Sequence, residues 1–533
     1  MRAARRVLQV GALACVLASA PSPLFDLDRH QVPKELVLHV AAGLAAVLAL
    51  RELRRLSLGL VDLLLLAYLA LSLVSALFAP NHWLAFRAFG VTLSGALVFW
   101  TARGISRAGL GRPLLVAFAL AAAIGAATGL LQAYGVELPM MTATRAPGGT
   151  FGNRNFMAHL VAIALPTLLL MTLETRSRAR AVLGAVCAAV AGAALLLSRS
   201  RAAWLGAAAP GAFFLVEGIW AGGLWSDHRY RPRIALLGFA ATAGITLALL
   251  LPNQLDWRSD SPYLESLVGV ANFHDGSGHG RLIQYRNTLG MAADHPVFGV
   301  GPGNWPVAYP LYTTPGDPAY DTGDIMPTNP WPSSDWVATL AERGVPALLA
   351  LLATLAVMLM VGWRRLRQPG REGDGLAGLA LVCTLLALVV VGSFDAVLLL
   401  AVPSLFGWGI LGALLPPQRE LASIALPDGR RRLLALGVAA AAALFALRSA
   451  AQGISMLLAG SGRSVRRVTW AARVDPGSYR LRMLLSGVPG ARGPCSRVRV
   501  HGLAAHRLFP HHVAPARVLR SCGVRVSVGE RGR

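Results

Sequence analysis

Long apolar runs alternate with short polar connections along most of the chain. Each run approaches the roughly 20 residues that a helix needs to cross the hydrocarbon core of a bilayer. Lipid cannot satisfy exposed backbone groups, so such runs predict transmembrane helices. They cover residues 7–24, 36–50, 58–78, 84–101, 113–134, 156–173, 181–197, 202–220, 234–251, 345–361, 376–391, 396–415 and 433–447. The pattern predicts an all-α polytopic membrane protein with about 12–13 transmembrane helices.

Arginines mark every second connection between the runs. Several occur in each of the connections 51–55, 103–112, 176–180, 229–233, 364–371 and 430–432. Positive residues concentrate on the cytoplasmic side, so the amino terminus and these connections are expected inside. The other connections, including a long loop at about 252–343, then face outward. The first run imitates a cleavable signal peptide, but an uncleaved span gives the orientation that all later connections share.

The composition excludes a soluble protein of this size. Of 533 residues, 55% are hydrophobic and 14% are charged, and the mean hydropathy is +0.54. The net charge of +24 falls mostly in the connections, so it indicates topology and no nucleic-acid partner. Cys15, Cys187 and Cys383 lie in apolar runs without ligand spacing, so neither a metal site nor a cofactor is expected. Cys495 and Cys522 share a polar region, where they can form a disulfide if it lies outside the cytoplasm.

The chain divides into a membrane region, residues 1–448, and a tail, residues 449–533. Two tail segments, 471–476 and 505–510, echo each other, and their prolines are 34 residues apart. That period is typical of tetratricopeptide (TPR) helix pairs, and an irregular helical tail is the alternative. We predict a small helical TPR-like tail on the outward side, suited to binding a protein partner.

Two outward segments place arginines beside a span. Residues 148–156 read GGTFGNRNF and follow Thr144 and Arg145, and residues 198–206 read SRSRAAWLG. Glycine permits tight turns, and the arginine fork suits phosphate oxygens. Arg154, Arg199 and Arg201 are therefore candidate anion-binding residues. The alternative role, anchoring a span at the interface, is weaker for Arg199 and Arg201 because outward segments are normally poor in positive charge.

A third segment, residues 280–305, reads GRLIQYRNTLGMAADHPVFGVGPGNW and lies in the long outward loop. Arg281 and Tyr285 are one helical turn apart and share a face, and Arg286 adds a further charge. His295 precedes a proline and is expected to fix a turn rather than to catalyse. Glycines that permit such a turn follow at Gly299, Gly301 and Gly303.

Together these segments resemble the motifs of the bacterial O-antigen ligase and polysaccharide polymerase superfamily, in the family's order. The resemblance covers roughly residues 23–415. It implies a GT-C-like, all-helical glycosyltransferase of the bacterial inner membrane, with its active face in the periplasm. The implied reaction moves a glycan from undecaprenyl pyrophosphate to an acceptor hydroxyl without a metal ion or other cofactor.

The resemblance also implies roles for single residues. Arg201 corresponds to the arginine that meets the donor pyrophosphate, with Arg199, Arg154 and Arg286 as further candidates. Arg281 corresponds to a second important arginine, and we class it as catalytic. The structural motif comprises Gly152, Asn153, Asn155, His295, Gly299, Gly301 and Gly303.

The segment before the next span departs from the family pattern. The family reads His-Asn-x-x-Leu and then Glu-x-Gly, whereas this chain reads SSDWV at 333–337 and ERG at 342–344. The family histidine is credited with activating the acceptor hydroxyl, and Ser333 replaces it here. Serine is not a base near neutral pH. Asp335 is a candidate replacement, although an aspartate there is more often a helix cap. The alternatives are His274, His279 and His295.

Several functions remain open at this point. The acceptor is lipid A core for a ligase, another lipid-linked glycan for a polymerase, or a protein hydroxyl for a protein O-glycosylation ligase. A non-catalytic homologue is the next alternative, because Ser333 replaces the family histidine. A transporter would place charges near the bilayer midplane. The charged residues instead gather at one face and in one loop, which favours an enzyme.

Overall fold

The computed structural model describes residues 1–22, 24–141, 145–175, 177–257, 259–274, 276–368, 373–487 and 494–529. Its α-helices are α1 Arg2–Leu17, α2 Asp28–Leu50, α3 Leu60–Leu77, α4 His82–Arg107, α5 Gly111–Ala133, α6 Arg154–Leu173, α7 Arg178–Ser198, α8 Arg201–Phe213, α9 Arg231–Leu250, α10 Pro262–Val268, α11 Gly276–Asp294, α12 Trp305–Ala308, α13 Asp335–Arg367, α14 Asp374–Phe394, α15 Ala401–Leu414, α16 Asp428–Ala459, α17 Val465–Val474, α18 Tyr479–Ser486, α19 Cys495–Leu508 and α20 Val513–Arg520. A π-helical segment, Phe214–Trp220, extends α8, and two short strands are β1 Arg55–Leu58 and β2 Ala422–Ala425.

The predicted spans correspond to α1–α9 and α13–α16. Eleven helices within the described ranges are long and apolar enough to cross a membrane. The first and twelfth runs form shorter helices, α1 with 16 residues and α15 with 14. Every residue of α15 is buried, so its apolar run reflects a helix enclosed by its neighbours. The all-α polytopic fold is therefore confirmed, with eleven full-length spans where about 12–13 were expected.

Contacts between connections agree with the predicted alternation of sides. β1 follows α2 and β2 precedes α16, and the strands pair antiparallel with Arg55 opposite Ala425. Both connections were expected inside. At the other end of the bundle, Nδ2 of Asn81 donates to the carbonyl oxygen of Leu508 at 3.0 Å. The tail thus lies at the same end as the α3–α4 connection, and we call this end the loop face.

The connection from α9 to α13 is fastened to a break in α13. Gly344 has a φ of +81° inside that helix, so the regular hydrogen-bond ladder is interrupted there. The N–H of Gly301 donates to the carbonyl of Glu342 at 2.8 Å, and the N–H of Val345 donates to the carbonyl of Pro296 at 2.8 Å. The turn of the connection therefore satisfies backbone groups that the break would leave without partners.

The glycines of this turn are required by its geometry. Gly299, Gly301 and Gly303 have φ values of +62°, +99° and +66°. A Cβ on Gly299 would lie 2.2 Å from the backbone carbonyl carbon of Glu342, and one on Gly301 would lie 2.3 Å from Cβ of Ala79. A side chain at either position would strain the backbone and separate the turn from its supports.

The tail consists of two helix pairs, α17–α18 and α19–α20, in the part that the structure describes. A disulfide joins Cys495 to Cys522. Tyr479 and Phe509 pack in one cluster with Val307 of the α9–α13 connection. The tail is thus helical and docked on the loop face, whereas its TPR-like character and the domain division at 448 stay predictions.

We predict that Gly299→Ala lowers the melting temperature of the detergent-solubilised protein. The strained φ alone costs about 1–3 kcal/mol, and the contact with the Glu342 backbone adds to it. Gly437→Ala is the matched control, because a Cβ there meets nothing within 4 Å and alanine favours the interior of α16. Equal melting temperatures for the two variants would contradict this prediction.

Candidate functional site

A cavity of about 590 Å³ lies at the loop face of the bundle. Its volume is within the range of about 300–1,000 Å³ that is typical of ligand pockets. We call it the arginine cavity. Its lining residues are Leu27, Arg145, Asn153, Asn155, Phe156, Gly276, Ser277, Gly280, Arg281, Gln284, Pro318, Ala319, Asn329, Pro330, Trp331, Ser333 and Asp395.

A glycine turn delivers two asparagines to this cavity. Gly152 has a φ of +70°, and a Cβ there would lie 2.2 Å from the ring of His30. The next residue, Asn153, caps α6 by accepting the N–H of Asn155 at 2.9 Å. The turn thus starts α6 and places both asparagines in the cavity wall. Thr144, which belongs to the same predicted motif, lies outside the described residues.

A buried lysine that was not selected from the sequence supports this turn. Lys34 of α2 has no exposed surface, and its Nζ donates to the carbonyl of Thr150 at 3.0 Å. The same group donates to the carbonyls of Val16, at 3.3 Å, and Ala18. Three carbonyl acceptors match the three donors of an ammonium group. Lys34 therefore ties α1, α2 and the turn together. In the sequence, this role was indicated by a lysine at the start of an apolar run.

Arg154 and Arg199 stack on one tryptophan. Their guanidinium carbons lie 4.9 and 4.8 Å from the ring centre of Trp257. Arg199 also donates to the carboxylate of Glu265 at 3.0 Å and to the hydroxyl of Ser266 at 2.8 Å. Through these contacts Arg199 holds α10 in place. Neither arginine lines the arginine cavity.

Arg201 begins α8 and lies close to the cavity's cations. Its Nη1 donates to the carbonyl of Gly269 at 2.6 Å. Its positive charge interacts unfavourably with those of Arg281 and Arg199. Arg145, a lining residue, acts in the same way on Arg154. Like charges held together in this way favour an anion between them.

Helix α11 places Arg281 in the cavity wall and leaves Arg286 outside. Arg286 is exposed and is not a lining residue, so the structure does not bring it to the other cations of the site. Tyr285, one turn after Arg281, has its hydroxyl 2.6 Å from the carbonyl oxygen of Ser333 and 2.9 Å from that of Ser393. Burial raises the pKa of Tyr285 to about 12, so it remains a neutral donor at physiological pH.

Ser333 and Asp335 have different environments. Ser333 lines the cavity, and its N–H donates to Oε1 of Gln284 at 2.8 Å. Asp335 is only 1% exposed and does not line the cavity. Its carboxylate accepts the N–H groups of Val397 and Leu398 at 2.9 and 3.0 Å. Asp335 therefore fastens the α14–α15 connection to α13, and this geometry argues against it as the base.

The carboxylate that does line the cavity is Asp395, which was not selected from the sequence. Its side chain is 13% exposed, and its Oδ2 lies 4.0 Å from Nε2 of His159. The same nitrogen lies 3.4 Å from Oγ of Ser200. His159 is fully buried in α6. In the sequence, this pair could have been identified from an aspartate and a histidine at the loop-face ends of two apolar helices.

The other candidate histidines lie outside the cavity. His274, His279 and His295 are exposed, and none is a lining residue. His295 follows α11, and its carbonyl accepts the N–H of Gly299 at 3.0 Å. The contact is made by the backbone, so the turn role of the His295 side chain stays a prediction.

The cavity combines positive charge with a carboxylate. Arg145 and Arg281 line it together with Asp395, and guanidinium groups suit phosphate oxygens while a carboxylate can accept a proton. Transfer reactions that release an anionic leaving group require both functions. Within the described ranges, no group of three His, Cys, Asp or Glu residues is placed to hold a metal ion.

Residues 186–352 match a family model described as O-antigen ligase. This match confirms the resemblance found in the sequence. The matched segment contains Arg199, Arg201, Arg281 and Ser333, whereas the turn before α6 and Asp395 lie outside it. No curated protein matches the chain.

We predict that Arg281→Ala weakens binding of undecaprenyl pyrophosphate about ten- to a hundredfold. Hydrogen bonds to a charged group contribute about 1.5–3 kcal/mol, and about 1.4 kcal/mol corresponds to a factor of ten. Fluorescence-detected titration of the purified protein measures this change. Arg286→Ala is the matched control on the same helix, and it should bind as the wild type does. A similar loss in both variants would show that only general surface charge matters.

Proposed function

We propose that this protein, whose residues 186–352 match the O-antigen ligase family model, transfers a glycan from an undecaprenyl pyrophosphate donor to an acceptor hydroxyl. The family supports glycan transfer in cell-surface polysaccharide assembly, and eleven candidate spans support a multi-pass membrane protein. The observation that carries the proposal is the joint presence of Arg281, Ser333 and Asp395 in one cavity.

The arginines act on the glycan donor. Arg281 and Arg145 line the cavity, and the charge of Arg201 acts on Arg281. When the bond between the sugar's anomeric carbon and the pyrophosphate oxygen breaks, undecaprenyl pyrophosphate leaves with additional negative charge. Preorganised guanidinium groups stabilise that charge as it develops. Arg199 and Arg154 act indirectly in this proposal, by holding α10 and Trp257 beside Arg201.

Asp395 acts on the acceptor hydroxyl. The acceptor oxygen attacks the anomeric carbon, and its proton passes to the Asp395 carboxylate. A carboxylate is an established class of general base when it is held within hydrogen-bond reach of the acceptor. His159 and the N–H of Ala396, which donates to Asp395 Oδ1 at 2.8 Å, position the carboxylate. Asp395 therefore takes the role that the family gives to the histidine at position 333.

The proposed location is the bacterial inner membrane, with the loop face in the periplasm. The arginine-rich connections lie at the opposite end of the bundle, in agreement with the positive-inside rule. The Cys495–Cys522 disulfide belongs to the loop face, and disulfides persist in the oxidising periplasm. Undecaprenyl-linked glycans would reach the cavity from the surrounding lipid.

A non-catalytic homologue is the second candidate function. Ser333 favours it, because the residue that lines the cavity at the family's histidine position has no basic group. Such a protein would bind the lipid-linked glycan through its arginines and transfer nothing. A ligase, a polymerase and a protein O-glycosylation ligase differ only in the acceptor, so a transfer assay with several acceptors separates all of these outcomes.

We predict that Asp395→Asn abolishes transfer, at least a hundredfold, in proteoliposomes supplied with a lipid-pyrophosphate-linked oligosaccharide. The acceptors offered are lipid A core, a second lipid-linked glycan and a serine-containing peptide. The melting temperature should stay close to that of the wild type, because one oxygen of the amide still accepts the N–H of Ala396. Asp335→Asn should instead lower the melting temperature, because its buried amide would place an NH2 group against the N–H of Leu398, which Oδ2 of Asp335 accepts at 3.0 Å.

We also predict that Ser333→His increases transfer, because it returns an imidazole base to a position in the cavity wall. The increase should persist in the Asp395→Asn background. Donor binding without transfer in the wild type and in Ser333→His would favour the non-catalytic homologue. Full activity in Asp395→Asn alone would refute the assigned base.

A further inference from the structure

A second cavity, of about 290 Å³, lies between the membrane helices and the docked tail. Leu84 and Arg87 of α4 contribute one part of its wall. Arg480 and Phe509 of the tail contribute another. The docked tail therefore closes one side of the cavity. We call it the tail cavity.

One oxygen of a buried carboxylate in this cavity lacks a hydrogen-bond partner within the described residues. Glu342 is 1% exposed, and its Oε1 accepts the N–H of Trp305 at 3.3 Å. The backbone N–H of Gly303 also interacts with the carboxylate, but Oε2 makes no hydrogen bond of normal geometry among the described residues. An unsatisfied buried acceptor destabilises the folded protein, and more so when it is charged. A ligand that donates a hydrogen bond to Oε2 would remove that cost.

The other charged groups of the cavity already have partners. Arg87 donates to Glu35 at 2.8 and 2.9 Å and to Asp28 at 2.9 Å. Arg480 stacks on the ring of Phe25 at 5.7 Å. Asp28 and Glu35 offset the charge of Arg87, and Arg480 adds a positive charge to the same wall as Glu342, so the donor to Glu342 is expected to be a neutral hydroxyl.

The remaining lining includes the aromatic side chains of Phe25, Trp331 and Phe509. Aromatic faces pack against C–H surfaces and contribute much of the contact area of a binding site. Hydroxyl donors combined with exposed C–H faces are the chemistry of a carbohydrate. An acyl chain would pack against the aromatic side chains, but it would not donate a hydrogen bond to Oε2 of Glu342.

The tail cavity adjoins the arginine cavity. Leu27, Pro330 and Trp331 line both of them. A saccharide in the tail cavity would therefore lie one side chain away from the site that contains Arg281 and Asp395. That placement suits an acceptor, whose hydroxyl must reach a donor held next to it.

We propose that the tail cavity binds the carbohydrate part of the acceptor, with Glu342 as the recognition group and the tail as the roof. This inference rests on the proposed glycan transfer, and it favours a glycan acceptor over a protein. It also gives the tail a role in substrate binding within the same chain.

The test is binding of delipidated core oligosaccharide to the purified full-length protein, measured by calorimetry without donor. We expect Glu342→Gln and Arg480→Ala to weaken binding at least tenfold. Ala88→Phe should abolish it, because Ala88 lines the cavity and the larger ring fills it. Arg473→Ala is the control for Arg480, since Arg473 is an exposed tail arginine that stacks on Trp470. All four variants should bind undecaprenyl pyrophosphate normally.

Failure of this inference is distinguishable from failure of the proposed function. Core oligosaccharide binding that is absent in the wild type, or unchanged in Glu342→Gln and Ala88→Phe, would overturn the acceptor site. The same conclusion follows if Ala88→Phe transfers glycan at the wild-type rate. Binding that depends on Glu342 without any transfer by the wild type would support the cavity and reject the proposed reaction.

Discussion

The structure depends on one interruption of a transmembrane helix, at Gly344 in α13. Backbone groups near a membrane must find partners within the protein, so a helix break is tolerated only where other backbone supplies them. The N–H groups of Val300 and Gly301 bond to the carbonyls of Ala341 and Glu342 at 2.9 and 2.8 Å. The long connection is thereby fixed to the bundle by its own glycine turn.

This junction determines where the reactive groups lie. The connection that it holds carries α11, whose Arg281 enters the arginine cavity, while Asp335 at the start of α13 fixes the connection that contains Asp395. The proposed donor site and the proposed base are thus positioned from two ends of one helix segment. Buried Arg343 reinforces the segment by donating to Tyr68 at 2.6 Å and Thr92 at 3.0 Å.

Much of the fold was predictable from the sequence, and less of the site was. Apolar runs identified the bundle because lipid requires them, and the glycines at 299, 301 and 303 indicated a turn that does adopt positive φ. The proposed base could not be identified from the sequence, because motif position favoured Asp335. Only the packing shows that the carboxylate of Asp335 accepts backbone N–H groups. Asp395 and His159 are 236 residues apart in the chain, so no local pattern joins them.

The most direct test of the central claim is a cryo-EM structure of the protein in lipid nanodiscs with undecaprenyl pyrophosphate. The account predicts pyrophosphate density in the arginine cavity, with oxygens at about 2.7–2.9 Å from the guanidinium of Arg281. A second basic cavity, of about 540 Å³, contains Arg107, Arg112 and Arg365 at the opposite end of the bundle. Pyrophosphate density there, with none beside Arg281, would contradict the account.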